Sequence, residues 1–471
     1  MTPAPFTFEL IRAALPEARL LGPASGAATA VSTDTRTLKA GELFVALVGD
    51  AFDGHRFVSR ALDFGAAAVV VSKTEGLDAL LAAHPRAAAF AVADTLAALG
   101  ALAAHWRSRC APRVLAVSGS NGKTTTKEIL AAILRERSAV LATTGNLNNL
   151  VGLPLTLLAL RDEPVAVVEF GVSIPGEMAQ LAAIARPDVG VVTSIHPAHL
   201  QDMGDIETVA REKGGLFAAL AEAGVAVVNL DDPRIVAQAA RTKAQRLTFS
   251  RERQDADVCA QKISPLADGF AVDVSVGGER AEFRLPLLGR HNVSNLLAAV
   301  AAAHAVGAPL ASMPPAVAKV VLPGRRLKIR RDITGFVLID DCYNANPASM
   351  AAALDILADV GAGKHKTALL GDMLELGPLS ADYHRALGEK AAQAGVDLLG
   401  AFGRFAVEVA EGARRAGMPE ERIFCSDDWS CFAAAVDGRV RPGGAVLVKG
   451  SRGMRMERAI DALAARTEGT R

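Results

Sequence analysis

The chain has 471 residues, 51% of them hydrophobic and 22% charged, with 42 glycines and 22 prolines. At roughly 150 residues per domain this gives about three domains, and the mixture excludes disordered, collagen-like and coiled-coil chains. Lys plus Arg and Asp plus Glu number 51 each, so no surplus of positive charge is available to neutralise a nucleic-acid backbone, and no nucleic-acid partner is expected.

In chain order, ELFVALVG and GAAAVVVS read as strands with DGHRFVSRALDFGA as a helix between them, a small leading α/β domain over 1–110. From residue 113, β-branched runs (VLAVS, PVAVVEF, VGVVTSI, VAVVN) alternate with Ala/Leu-rich helical stretches, which predicts a second α/β domain with a mostly parallel sheet over 111–322. The alternation restarts with GFVLIDD, KTALLGD, VDLLGAFG, RIFCSDD and AVLVKGS, a third α/β domain over 323–471. Linkers fall at 108–113 and 321–326, where Pro, Gly and Arg interrupt the apolar periodicity. Five scattered cysteines without a CxxC pair fit neither a disulfide framework nor a zinc site, so a reducing cytoplasm is expected. The first residues lack a basic start followed by an apolar core. Apolar stretches such as 296–308 fall short of the roughly 18 residues of a membrane span, so neither secretion nor membrane insertion is expected.

The strongest local signal is VLAVSGSNGKTTTKEILAAIL: strand, glycine loop, amphipathic helix. Backbone N–H groups of Gly119, Ser120, Asn121, Gly122 and Thr125 can converge on phosphate oxygens at the positive end of the helix; Lys123 reaches β/γ phosphates and Thr124 ligates magnesium. The spacing is GxxGKTT rather than GxxxxGK[ST]. Such a loop signals nucleotide binding without choosing among kinase, hydrolase, motor and ligase. Glu169 ends the next strand, and His196 and His199 follow the one after it, on the sheet edge that carries the phosphate loop. An acid and a histidine there suit a divalent cation beside the γ-phosphate. Lys213, in VAREKGGLF, reads by itself as a surface lysine.

Nine segments in order resemble the Mur ligases, the ATP-dependent amide ligases of peptidoglycan precursor synthesis: STDTRTLKAGELFVALVGDAFDGHRF, SGSNGKTTTKE, TTGNLNNLVGLPLTLL, VEFGVSIPGEM, AHLQDMG, LLGRHNVSNLLAA, IDDCYNANPASM, LLGDMLELG and VLVKGSRGMRME. The resemblance is strongest to the dipeptide-adding branch. It implies a leading domain gripping a UDP-sugar peptide, a central P-loop ATPase and a C-terminal Rossmann-like domain. It further implies a monomeric cytoplasmic enzyme of cell-wall biogenesis, and so of cell shape and division. ATP would phosphorylate the terminal carboxylate of UDP-N-acetylmuramoyl-tripeptide, and the amine of D-alanyl-D-alanine would displace the phosphate.

By the same resemblance Lys123, Glu169, His199 and Lys213 are catalytic. Thr124, Glu169, His199 and Lys213, the last as a carbamate formed with carbon dioxide, hold two magnesium ions. His291, Asn292 and Asn295 match adenine-side contacts, and Arg325 and Asp341 match positions near phosphate and ribose; Lys449, Ser451 and Arg452 lie close to the cleft. Ser32, Asp34, Thr35, Arg36 and His55 resemble the uridine-diphosphate pocket, and Thr143, Thr144, Asn146, Asn148 and Asn149 the loop facing the muramoyl group.

The chain departs from the family pattern at three places: Gln201 and Gly215 stand where acidic residues are common, and Cys342 where serine is frequent. A sister ligase adding a diamino acid would call for a DNPR-like clamp in the last domain, whereas NLDDPR lies at 229–234. Folylpolyglutamate synthetase would leave the leading domain unexplained. A P-loop hydrolase or kinase predicts phosphate release or transfer without an amine acceptor, and a non-catalytic regulator would not need Glu169, His199 and Lys213 together.

Overall fold

The protein is described by a computed structural model over residues 6–49, 51–324, 327–330 and 335–468. Three sheets follow one another along the chain. The leading sheet orders its strands Arg19–Leu21, Ala88–Ala91, Ala68–Val71, Leu43–Val45 and Val31–Ser32, all parallel except the first pair. The helix expected from DGHRFVSRALDFGA is present as a 3-10 turn, Gly54–Phe57, running into Val58–Asp63.

The central sheet has nine strands, ordered Val140–Ala142, Val165–Glu169, Arg113–Ser118, Val189–Val192, Val225–Asn229, Gln245–Ser250, Val258–Leu266, Gly269–Val276 and Glu279–Leu285. The first seven are parallel and the last three form antiparallel hairpins. Strand order reverses at Arg113–Ser118, flanked by Val165–Glu169 and Val189–Val192. That reversal opens a crevice at the carboxyl ends of these strands. Two helices pack under it. Lys123–Arg135 buries Ile129, Leu130, Ile133 and Leu134, at the spacing of one helical face. They meet His291–Ala305, which is buried from Leu296 to Ala303. Alanine there lets the two helices approach closely, and a helix apolar all round belongs inside the molecule.

The C-terminal sheet orders Lys328–Arg330, Val337–Asp341, Ala445–Lys449, Lys366–Gly371, Leu398–Phe402 and Ile423–Ser426, parallel beyond the first pair. It has its own two cores, around Leu357 and Leu447 and around Phe432 and Val448. The leading and central sheets instead share one. Helix Thr95–Cys110 lies between them, so that Phe6, Phe90 and Leu99 belong to the same apolar cluster as Leu153, Leu157 and Met178. Trp106 stacks obliquely on Phe6 at 4.7 Å and donates its Nε1–H to Leu160 C=O at 3.1 Å. Among the described residues no helix is long and apolar enough to cross a membrane.

Candidate active site

A cleft of about 590 Å³ lies where the central and C-terminal sheets face each other. Its floor is the phosphate loop, whose two glycines are sterically required. Gly119 (φ +140°) and Gly122 (φ +82°) would carry a Cβ only 2.0 Å from Thr193 Oγ1 and 2.1 Å from Asn295 Oδ1. Left-handed backbone and close approach both exclude other residues. Ser120 is locked by His196: its hydroxyl donates to His196 C=O at 2.9 Å and accepts the His196 N–H at 2.9 Å. Lys123 Nζ folds back to donate to Gly119 C=O at 2.7 Å. With Lys123 as the first residue of its helix, the lysine and the helix N-terminus present positive potential to the cleft.

Thr124 and Glu169 are brought together from a helix start and a strand end. Thr124 Oγ1 donates to Glu169 Oε2 at 2.8 Å, and Asn148 Nδ2 donates to Oε1 at 2.8 Å. The Glu169 N–H is held by Thr143 Oγ1 at 3.0 Å, and buried Lys127 donates to Thr143 C=O at 2.7 Å. No group of three His, Cys, Asp or Glu among the described residues could hold a metal alone. One hydroxyl and one carboxylate facing a phosphate loop nonetheless fit magnesium, which takes few protein ligands and completes its octahedron with phosphate oxygens and water. His199 lines the same cleft, and its Nδ1 lies 2.6 Å from Glu375 Oε2 on the C-terminal side. That contact holds the Glu375 carboxyl below the usual carboxylate range.

Lys213 is no surface lysine. It sits in the middle of helix Ile206–Ala218, 1% exposed. Burial, reinforced by the positive charge of Lys123, pushes its ammonium down to about 7, against partial opposition from Glu212 and Glu177. Close to neutrality a large fraction is therefore free amine, the form that reacts with carbon dioxide. The flanking glycines have packing reasons: a Cβ on Gly214 would lie 2.5 Å from the Gln238 side chain, and one on Gly215 3.3 Å from Met178 Cγ. A side chain at 215 would require Met178 to give way by a few tenths of an ångström.

Asn292 and Asn295 lie behind the phosphate loop. Asn295 donates to Asn292 Oδ1 at 2.8 Å and accepts from Thr126 Oγ1 at 3.4 Å, while Asn292 donates to Leu288 C=O at 2.7 Å. Much of their amide capacity thus braces the loop. Burial pushes the His291 imidazole down to about 4, with Asp341 opposing, so the ring is neutral at pH 7. Asp341 forms a buried ion pair with Lys449 Nζ at 2.5 Å and accepts the Leu327 N–H at 3.1 Å.

Of the expected residues, Ser120 to Thr125, Asn146, Asn148, Asn149, Glu169, His199, His291, Asn292, Asn295 and Asp341 all line the cleft. Gly119 forms the strand side of the loop, and Thr143 is buried behind Glu169. Thr144 lies beside it, outside the cleft lining. Ser451 is buried and accepts the Leu374 N–H at 2.9 Å, and exposed Arg452 pairs with Glu457 at 3.1 Å. Arg325 lies outside the described residues.

Ser32, Asp34, Thr35, Arg36 and His55 lie apart, on the leading sheet. Arg36 chelates the Asp34 carboxylate at 2.6 to 3.0 Å and lowers its carboxyl to about 2; Ser32 Oγ accepts the Asp34 N–H, and Thr35 is buried. His55 has both nitrogens engaged, Nδ1 with Asp53 at 2.7 Å and Nε2 with the Ser72 N–H at 2.9 Å. It shapes this corner from within.

Asn346, Tyr343, Asn344, Asp232, Asn229 and Arg251 also line the cleft and were not singled out by residue type or spacing. Three of them sit in segments with a readable signal: Asn346-Pro347 is a helix start, and NLDDP, with Asn229 and Asp232, ends a strand and caps the helix Pro233–Ala239.

The profile of the Mur ligase middle domain matches residues 117–303, that of the Mur ligase glutamate ligase domain 325–452, and that of the Mur ligase family catalytic domain 28–107. The UDP-N-acetylmuramoyl-tripeptide–D-alanyl-D-alanine ligase of Bacillus subtilis is 34% identical over 91% of this chain and 92% of its own. The enzyme of the same name from Escherichia coli is 36% identical over 92% and 93%. Among solved structures, MurF from Acinetobacter baumannii superposes with a TM-score of 0.88 at 30% identity, covering 98% of this chain and 99% of that one. MurF from Thermotoga maritima in complex with ADP gives 0.81 at 28% identity, covering 94% and 98%. With matches that run through all three sheets, the chain belongs to the Mur ligase family of ATP-dependent ligases.

Proposed function

We propose that the protein joins D-alanyl-D-alanine to UDP-N-acetylmuramoyl-tripeptide at the expense of ATP, making the pentapeptide precursor of peptidoglycan. The observation that carries this reading is the pairing of Thr124 with Glu169 beside a phosphate loop, in a cleft that also holds His199; Lys213, buried outside the cleft lining, feels the charge of Lys123 and is easily neutralised. The names of relatives similar over nine-tenths of the chain select the substrates.

On this reading residues 1–110 bind the UDP end, with Ser32, Asp34, Thr35, Arg36 and His55 at that pocket. Residues 111–322 hold ATP, and 323–471 close over it. The tripeptide carboxylate attacks the γ-phosphorus, ADP leaves, and an acyl phosphate forms; the dipeptide amine adds to its carbonyl carbon, loses a proton, and phosphate departs. A carboxylate and a triphosphate repel each other, so the site has to supply positive charge. Lys123 and the N-terminus of its helix provide part of it. Two magnesium ions, held by Thr124 and Glu169 and by His199 with carbamylated Lys213, would neutralise the rest as Lewis acids. Lys213 fits that modification twice: burial keeps its amine neutral for attack on carbon dioxide, and the Lys123 charge that disfavours an ammonium favours a carbamate anion. Asn146, Asn148 and Asn149 offer amides to the muramoyl side, and His291, Asn292, Asn295 and Asp341 lie on the nucleoside side. A cytoplasmic, monomeric protein acting in cell-wall growth goes with this reading.

The test is phosphate release from ATP with magnesium and UDP-N-acetylmuramoyl-tripeptide, with and without D-alanyl-D-alanine, the product read by mass. Release that needs both substrates and yields the pentapeptide is expected. Release indifferent to the dipeptide would mean a hydrolase, and activity with another amine only would replace the acceptor.

A further inference from the structure

Two loops meet at the mouth of the cleft. One follows strand Val189–Val192 and carries His199; the other, 371–377, follows strand Lys366–Gly371 on the C-terminal side. Their backbones touch: the Gln201 N–H donates to Glu375 C=O at 3.1 Å, and a Cβ on Gly377 (φ +62°) would lie 3.3 Å from Gln201 Cα. Their side chains meet as His199 Nδ1 and Glu375 Oε2 at 2.6 Å. Both residues are left-handed, φ +56° and +64°, two of only six such non-glycine residues among those described. Backbone of that kind persists where the surroundings over-determine it, and it concentrates at functional sites.

The base of the 371–377 loop is pinned within its own unit. The Asp372 carboxylate accepts the Arg404 and Phe405 N–H groups at 2.8 and 3.2 Å, His384 Nε2 accepts the Met373 N–H at 3.0 Å, and Ser451 Oγ accepts the Leu374 N–H. Glu375 is therefore presented from a rigid support.

We propose that Glu375 is a positioning residue for His199, supplying a carboxylate to its ring from the C-terminal side. By accepting the Nδ1 proton it fixes the imidazole tautomer and orientation and leaves Nε2 as the nitrogen with a free lone pair, the arrangement that outer carboxylates impose on metal-ligating histidines. The histidine is then set for a divalent cation only when the two units are docked, so docking and cation binding are coupled. This rests on the reading of His199 as a magnesium ligand.

Two measurements on the full chain separate the contact from the function. In the protein without nucleotide or metal, imidazole ¹⁵N spectra, with the His199 signal assigned by its loss in His199→Gln, are expected to show the Nδ1–H tautomer. Glu375→Ala converts it to a mixture, while Glu375→Gln, whose amide oxygen still accepts, retains it. In magnesium titrations of ATP-dependent ligation, Glu375→Ala is expected to raise the apparent KM for magnesium about tenfold or more with the KM for ATP unchanged, and Glu375→Gln to recover most of the loss. An Nε2–H tautomer in the unmodified protein, or an unchanged magnesium dependence in an active Glu375→Ala, overturns the proposal. Absence of pentapeptide formation by the unmodified protein instead overturns the reading of function, and the spectra still decide the contact.

Discussion

Asn121 and Asn346, 225 positions apart in the chain, exchange amide hydrogen bonds, Nδ2 of each donating to Oδ1 of the other at 3.1 and 2.8 Å. The pair ties the phosphate loop to the N-cap of helix Pro347–Val360, where Asn346 Oδ1 also accepts the Ser349 N–H at 2.9 Å. Asn346→Ala removes the clamp and the cap together. The cap alone is worth about 1 kcal/mol, so urea unfolding should show a loss of at least that size, with a raised KM for ATP. Ser349→Ala weakens the capping box but spares the clamp, and its KM for ATP should stay unchanged.

Gly122→Ala should cost more at the nucleotide than in the fold. The new methyl would collide with Asn295 Oδ1, and the side chain cannot swing away because it is bonded to Asn292 and Thr126. ATP affinity measured by calorimetry is expected to fall more than tenfold, about 1.4 kcal/mol. Adding Asn295→Ala restores space but not the left-handed backbone, so the double variant should recover only part of the affinity.

Lys213→Ala should abolish ligation, and a small added carboxylate such as formate should restore part of it by standing in for the carbamate. Turnover assays with and without the carboxylate decide this. Undiminished turnover in the variant would remove the carbamate from the reaction.

Acid should weaken the fold between pH 6.5 and 4. Burial holds His291 at about 4, and lowers His384 and His196 as well. In that window the unfolded chain binds protons that the native chain refuses, so stability is full above the ordinary histidine value and falls as pH drops. His384 shows why: its Nε2 accepts the Met373 N–H while Nδ1 meets Ser380 C=O at 2.6 Å, leaving no place for a second proton. Thermal midpoints across this range should decline, with a shallower slope in His291→Gln.

What was legible in the sequence was local. The strand, glycine loop and helix at 113–135 are contiguous, and the five parallel C-terminal strands announce themselves as short apolar runs, so both appear where expected. The antiparallel hairpins over 258–285 lie outside the expected strands, although Gly277-Gly278 marks the turn of the second. Lys213 looked like a solvated cation because its burial is created by helices Glu177–Ala185 and Pro233–Ala239 packing on its own. The pairs Asn121–Asn346 and His199–Glu375 span 225 and 176 positions, and no periodicity encodes a partner at that distance.

The apolar cluster shared through helix Thr95–Cys110 has a mechanical consequence. The leading and central sheets cannot part without exposing Phe6, Leu99 and Leu157 to water, whereas the C-terminal unit has its own two cores and meets its neighbour through the narrower contacts of Asn121, His199, Leu288 and the Tyr383 ring. The chain is thus built as a solid anvil of two sheets and a hammer with cores of its own, and heating should melt it in two cooperative steps rather than three.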